Sequence, residues 1–280
     1  MPTDIHLQAV DLALAAKRWG DGRGEPVLAL HGWLDNCASF DFLAPLLPDY
    51  DVVALDLPGH GHSAHLPDSC QYNFLDYVKF IIAAADDLGW EQFHLLGHSL
   101  GGALASVVAS AFPERVKSAT FIDSIGPVTE TVALASARLS KAVNKVLHRS
   151  NKAKKCYPDI ELAIKNRQRS GGLNYESAKV LVERGIKAVD GGYQWRFDDK
   201  LLLPSNTYMT EEQVHAILRD IVVPVLLIQA SDGILHDNIH VQHRMTLIDN
   251  LSHVIVEGHH HVHMEAPQSL AIELTQFIQF

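Results

Sequence analysis

The sequence predicts an α/β protein with a mainly parallel sheet covered on both faces by helices. Three observations predict it: short apolar, β-branched runs ending in turn residues recur along the chain, helical patterns lie between most of them, and one long stretch interrupts this alternation. The runs are Val27 to Leu30, Val52 to Leu55, Phe93 to Leu96, Val116 to Ile122, Val225 to Ile228 and Val254 to Val256. Apolar runs of this kind suit strands buried on both faces. Phe74 to Leu88 carries apolar residues at Phe74, Leu75, Val78, Ile81, Ile82 and Ala85, which predicts a helix ending before Gly89. A second helix is predicted from Leu100 through Ala103, Leu104, Val107 and Val108 to a stop at Phe112-Pro113. From about Pro127 to His215 helical periodicity continues with no convincing strand before Val222, and the alternation resumes at Pro224. The predicted layout is one domain over 1–280, with a core of 1–126 and 216–280 and a helical cap inserted at about 127–215.

The composition supports a sizeable core. At roughly 100–200 residues per domain, 280 residues make one large domain or two small ones, and 47% hydrophobic with 20% charged residues excludes a disordered or fibrous chain. The balance of 23 basic and 33 acidic residues, net −10, repels phosphate backbones, so nucleic acid is not an expected partner. Cys37, Cys70 and Cys156 lie far apart and form no Cys-x-x-Cys pair, which predicts reduced, mostly buried thiols. The opening Met1-Pro2-Thr3-Asp4 has no basic flank or long apolar stretch, so a cytoplasmic location is expected. No apolar run reaches the roughly 18 residues of a membrane helix; Ile221 to Ala230 is short and contains Pro224. Oligomeric state has no signature in the sequence.

Gly97-His98-Ser99-Leu100-Gly101 follows one predicted strand and opens a predicted helix. This is a G-x-S-x-G nucleophile elbow in the setting that gives it meaning. A tight strand-to-helix turn forces the serine into a strained backbone conformation, and side chains at Gly97 or Gly101 would collide with neighbouring backbone. The serine hydroxyl then stands at a helix N-terminus whose free N–H groups can stabilise an anion.

With this motif in place, the sequence resembles the α/β-hydrolase superfamily over almost its whole length. Leu30-His31-Gly32-Trp33 closes an early strand, and the resemblance implies an oxyanion hole made by the backbone N–H groups of Trp33 and Leu100. Asp56-Leu57-Pro58-Gly59-His60-Gly61-His62-Ser63 looks like the family's turn after the next strand, and Gly258 to Pro267 resembles its catalytic-histidine loop. In the family Glu commonly follows that histidine by five positions and Pro follows the Glu by two; counting back from Glu265 selects His260 as the base. A neutral His260 would take the Ser99 proton and return it to the leaving group.

The acid of the implied triad has more than one candidate. Asp123 ends the strand after the nucleophile helix, in a stretch from Phe121 to Val128 that looks like the matching segment of small esterases with their acid on that strand. Asp232 follows the strand ending at Ala230, the commonest place for the acid in the superfamily, but arrives one residue early. Asp123 is favoured, Asp232 is the alternative and Asp237 comes third. His31 to Asn36, the Asp123 stretch, Gly191 to Phe197 and His260 to Met264 together narrow the resemblance to serine hydrolase-like proteins and related esterases. It implies a cofactor-free serine hydrolase, most directly a carboxylesterase for a small ester or acyl substrate. Thioesterase, amidase and carbon–carbon hydrolase activity use the same triad, and a non-catalytic ligand receptor uses the same fold.

Two further patterns bear on function. His60-Gly61-His62-Ser63-Ala64-His65 has the H-x-H-x-x-H spacing of a two-metal hydrolase, but Ala64 stands where that motif needs an aspartate, so no catalytic metal is expected. Between Thr131 and Pro158 there is no acid, while Arg138, Lys141, Lys145, Arg149 and Lys152 recur at steps of three or four beside Leu139, Val143, Val146 and Leu147. Such a helix is either packed on the core with a solvated basic face or a surface for anionic substrates, acyl carriers or membrane lipid.

Overall fold

The computed structural model describes residues 2–149 and 154–278. The chain opens with a hairpin of β1 (Thr3–Ala9) and β2 (Leu12–Trp19), followed by β3 (Glu25–Leu30) and β4 (Tyr50–Leu55). Next come α1 (Tyr77–Asp87), β5 (Phe93–His98), α2 (Leu100–Ala111) and β6 (Val116–Ile122). After the insertion follow β9 (Val225–Asp232), α7 (Val241–Met245), β10 (Leu251–His259), α8 (Val262–Glu265) and α9 (Pro267–Ile278). The eight-stranded sheet has the order β1-β2-β4-β3-β5-β6-β9-β10. The β1–β2 and β2–β4 pairings are antiparallel and the rest are parallel.

The period of two along each strand divides the core into two layers. On β3, Leu28 and Leu30 join Phe80, Ile81, Leu104 and Val108 of α1 and α2, whereas Val27 and Ala29 face Phe40, Leu43, Leu270 and Leu274 on the other side. All six residues of β4 and of β5 are buried, which is why these strands read as mainly apolar runs, with Asp51, His94 and His98 as buried polar exceptions. The predicted helices are found over Tyr77–Asp87, entered by a 3-10 turn from Phe74, and over Leu100–Ala111.

The insertion contains α3 (Ala135–Leu147), α4 (Ile160–Gly171) and α5 (Tyr175–Gly185), then β7 (Ile186–Val189), β8 (Gly192–Trp195) and α6 (Glu211–Arg219). Ala163, Ile164, Ala178, Leu181 and Val182 of α4 and α5 build a small cluster that also takes Met264 from the core. Several expectations need correction. Within the mostly helical cap two strands occur where none was expected before Val222: β7 and β8 pair antiparallel across Asp190-Gly191, with Gly191 at φ 84°. Asp-Gly between β-prone runs is a hairpin signal; the preceding helical pattern masked it. The boundary expected at 215 falls inside α6, whose Val214 and Leu218 belong to the main core. The β1–β2 hairpin was not among the expected strands. Of the three thiols only Cys37 is buried, while Cys70 and Cys156 are exposed.

The basic helix also differs from a packed one. In α3 only Ala142 is buried, and Leu139, Val143 and Leu147 are all exposed, Leu147 at 71%. Arg138 is not a free cation, since it pairs with Glu130 and lies over the Tyr208 ring. Lys152 lies outside the described residues. Among the described residues no helix is long and apolar enough to cross a membrane.

Candidate active site

Ser99, Asp123, His260 and Trp33 follow the carboxyl ends of β5, β6, β10 and β3, so the parallel sheet delivers them to one edge. Ser99 has φ 52° and ψ −113°, a left-handed conformation that costs energy for a residue with a Cβ. A Cβ on Gly97 would overlap the backbone of Gly101, and one on Gly101 would overlap the Leu30 carbonyl, so both flanks must be glycine for the elbow to form. Leu100 opens α2 directly after the serine, leaving its N–H among the unpaired donors of the helix start.

His260 Nδ1 lies 2.6 Å from Asp123 Oδ2. The Asp123 side chain is fully buried and that of His260 is 23% exposed, toward the cleft. Asp123 also has a left-handed backbone, φ 46°, and its carboxylate accepts the N–H groups of Ile234 at 2.8 Å and Ala230 at 3.3 Å. A Cβ on Gly233 would overlap that carboxylate. The other two candidates stand elsewhere: Asp232 is exposed and accepts from Ser231 Oγ at 2.9 Å, and Asp237 is 98% exposed beside His236. His98, the second residue of the elbow, is buried; its Nε2 donates to the His260 carbonyl at 2.8 Å and so pins the loop that carries His260.

Ser99, His260 and Trp33 border a cleft of about 450 Å³. Its walls are Gly32, Leu34 and Asp35 from the loop after β3, Arg167, Ser170 and Gly171 at the end of α4, and Trp195 and Phe197 at the end of the cap hairpin. Trp33 is 54% exposed and donates from its indole to the Leu201 carbonyl, so its backbone stays beside the elbow while its ring reaches into the cap.

Beneath the cleft, Asp35 accepts from Arg167 and from His261 Nε2 at 3.2 Å. Burial would raise the Asp35 pKa, but Arg167 and His261 outweigh it and hold it well below the carboxylate range. Burial, reinforced by His263 and His260, holds His98 well below the ordinary histidine range, so its ring is neutral. Asp35 and His261 stand in segments that carry the resemblance, whereas no local pattern points to Arg167, which is 132 residues from Asp35. A second buried pair, Asp56 with Arg184 of α5, ties the cap to the turn after β4. Of the histidines with two-metal spacing, His60 and His62 belong to that turn, and His65 Nε2 meets the Arg196 carbonyl of the cap at 2.9 Å. His60 is fully buried, stacked edge-on against His31 and bonded to the Pro58 carbonyl, while the His62 N–H donates to Asp56.

Comparison with known proteins agrees with this architecture. A family model described as alpha/beta hydrolase fold matches residues 25–147. A serine hydrolase-like protein of Danio rerio is 34% identical over 277 residues, covering 95% of this chain and 85% of that protein. A probable serine hydrolase of Drosophila melanogaster is also 34% identical, covering 94% of this chain and 84% of its own length. A solved hypothetical protein of Pseudomonas aeruginosa PAO1 superposes with a TM-score of 0.95 at 35% identity, covering 99% of both chains. The thioesterase domain from the curacin biosynthetic pathway superposes at 0.87 with 24% identity, covering 98% of this chain and 99% of its own, a likeness of fold. The chain belongs to the α/β-hydrolase superfamily, among the serine hydrolase-like proteins.

Proposed function

We propose that this protein is a cofactor-independent serine hydrolase of carboxylic esters working through an acyl-enzyme. The observation that carries the reading is the 2.6 Å contact between Asp123 and His260 Nδ1, with His260 and Ser99 opening on the same cleft. Ser99 Oγ attacks the ester carbonyl while His260 Nε2 takes its proton. Asp123 holds Nδ1 protonated and stabilises the imidazolium, and the Trp33 and Leu100 N–H groups receive the oxyanion. His260 then returns the proton to the departing alcohol, and a water activated by the same nitrogen releases the acid. Trp33, Trp195 and Phe197 give the cleft an aromatic wall suited to an apolar acyl or alcohol group.

Thioesters, amides and carbon–carbon bonds are the competing substrates of the same machinery, and ligand binding without turnover is the competing function on this fold. A fluorophosphonate probe and a series of p-nitrophenyl esters of rising chain length separate them. The wild-type chain should label and hydrolyse, and Ser99→Ala should do neither while keeping its circular dichroism spectrum. Equal labelling of the two proteins, or no turnover of any ester by the wild type, overturns the esterase reading.

A second surface supports contact with anionic lipid. Leu139, Val143 and Leu147 of α3 are exposed, Lys141, Lys145 and Arg149 are exposed beside them, and the sequence from Thr131 to Pro158 holds no acid in a chain of net charge −10. An apolar stripe flanked by cations suits peripheral attachment to an acidic bilayer, which would bring membrane-borne esters to the enzyme.

A further inference from the structure

Asp35, His98 and His261 are used by none of the steps above, yet they converge beside the nucleophile. Asp35, His98 and His261 each bring one potential ligand atom within 4.8 Å of the other two, and all three residues are more than nine-tenths buried. His98 Nε2 meets a carbonyl oxygen, which can only accept, so the single hydrogen of this neutral ring is on Nε2. Nδ1 therefore carries a lone pair. It has no hydrogen-bond partner, and it faces the Asp35 carboxylate oxygen at 4.0 Å. Asp35 Oδ2 accepts from His261, but the His98 lone pair that faces it is unpaired, and a cation between the two would satisfy it.

A Cβ on Gly32 would sit 3.0 Å from His98 Nδ1 and 3.1 Å from Asp35 Oδ2, so no side chain stands between these atoms and the backbone of a cleft that Gly32, Asp35, His98 and His261 all border. We propose that Asp35, His98 and His261 form a binding site for a transition-metal ion of the Zn²⁺ class next to Ser99. Two imidazole nitrogens and one carboxylate oxygen suit Zn²⁺, Co²⁺ or Ni²⁺ better than Mg²⁺ or Ca²⁺, which prefer oxygen alone. Ligand bonds of about 2.1 Å at the tetrahedral angle span about 3.4 Å. The Asp35 to His261 distance of 3.2 Å and the Asp35 to His98 distance of 4.0 Å bracket that span.

Binding through His261 Nε2 shifts its hydrogen to Nδ1, which has no partner in the structure and is free to carry it. Arg167 stays on the other carboxylate oxygen and orients Asp35 from outside the site. A fourth ligand would come from the cleft that these three residues border. An ion there stands beside the imidazole ring of His260, whose centroid is 4.6 Å from that of His98, and beside the Gly32-Trp33 backbone. A divalent charge in that place opposes formation of the His260 imidazolium and competes for the oxyanion, so occupancy inhibits turnover. That consequence rests on the esterase reading; the binding does not.

Calorimetric titration of the full chain with ZnCl₂ tests the site whether or not the protein hydrolyses esters. The wild type should bind an ion that is weakened at least about tenfold in His261→Gln and in Asp35→Asn, each checked for its native circular dichroism spectrum. His243→Gln, at an exposed histidine packed against the half-buried His215, should leave that ion in place. A zinc-soaked crystal should give an anomalous peak among Asp35, His98 and His261, and decides the matter if either variant fails to fold. No ion on the wild type, unchanged affinity in both folded variants, or a peak only elsewhere overturns the proposal.

Discussion

Asp123 Oδ2 accepts the backbone N–H of Ile234 at 2.8 Å, so the loop after β9 serves a carboxylate that belongs to the neighbouring strand β6. In many α/β-hydrolases this loop would supply the acid itself. Here its own aspartate, Asp232, turns to solvent and Gly233 leaves the room that the Asp123 carboxylate fills.

Asp123→Asn should lower kcat at least about a hundredfold, because an amide fixes the wrong histidine tautomer and cannot balance the imidazolium. Asp232→Asn should lower it less than about tenfold. Steady-state kinetics on a p-nitrophenyl ester, with both proteins folded, compare the two; a larger loss at Asp232 would assign the acid there.

Gly233→Ala tests the same arrangement without touching an ionisable group. Its Cβ would overlap the Asp123 carboxylate and must displace it from His260. We expect kcat to fall roughly tenfold or more with KM little changed, since a shift of about an ångström in a catalytic contact can cost two orders of magnitude. Unaltered kcat would mean that the position of Asp123 does not limit the reaction.

The Asp56–Arg184 pair predicts a loss of stability. Arg184 of α5 reaches Asp56 at 2.9 Å with both side chains nearly or fully buried, and it also bonds Asp4. Burial alone would raise the Asp56 pKa, yet Arg184 holds it below the ordinary range. Arg184→Met leaves that carboxylate buried and without its cation, which should cost about 3–5 kcal/mol. Urea denaturation measures it; a loss under about 1 kcal/mol would show that water reaches Asp56 once the arginine is gone.

Acid should destabilise the protein well before its carboxylates titrate. Burial, with help from His31, lowers the His60 pKa to about 3, and burial, with Lys117, lowers that of His94 to about 4. Burial lowers His31 as well. Once unfolded, these rings take up protons near pH 6.5, so the unfolded chain binds more protons than the fold and stability rises with pH. Their contribution is complete above about pH 6.5 and is lost as pH falls toward 4 and 3, each ring approaching about 1.4 kcal/mol per pH unit. Denaturation midpoints measured from pH 7.5 to 4.5 should fall accordingly; a flat profile would mean that the rings are protonated in the fold.

The α3 surface should bind vesicles of acidic phospholipid and not neutral ones. Lys141→Glu with Lys145→Glu should abolish co-sedimentation, and Leu139→Ser with Val143→Ser should weaken it, with turnover of a small soluble ester unaltered. Equal binding to neutral vesicles would leave α3 as a solvated face.

The sequence by itself determined the parallel core and the elbow, because both rest on local rules. Strands buried on two faces are predominantly apolar, as Val52 to Leu55 of β4 and Leu95-Leu96 of β5 are, and a serine held at φ 52° needs Gly97 and Gly101 on either side. His260 was legible by its spacing to Glu265 within a resemblance. The contact between His260 and Asp123, 137 residues apart, was decided by the sheet order that sets β6 against β9 and β9 against β10. The Asp35–Arg167 pair depended likewise on the cap folding back over the core, and no local pattern marks Arg167 as its partner. The cap hairpin was written in Asp190-Gly191 and hidden by the helices before it. Exposure of the apolar face of α3 was decided by tertiary structure alone: periodicity states which residues share a face, and packing decides whether anything covers it.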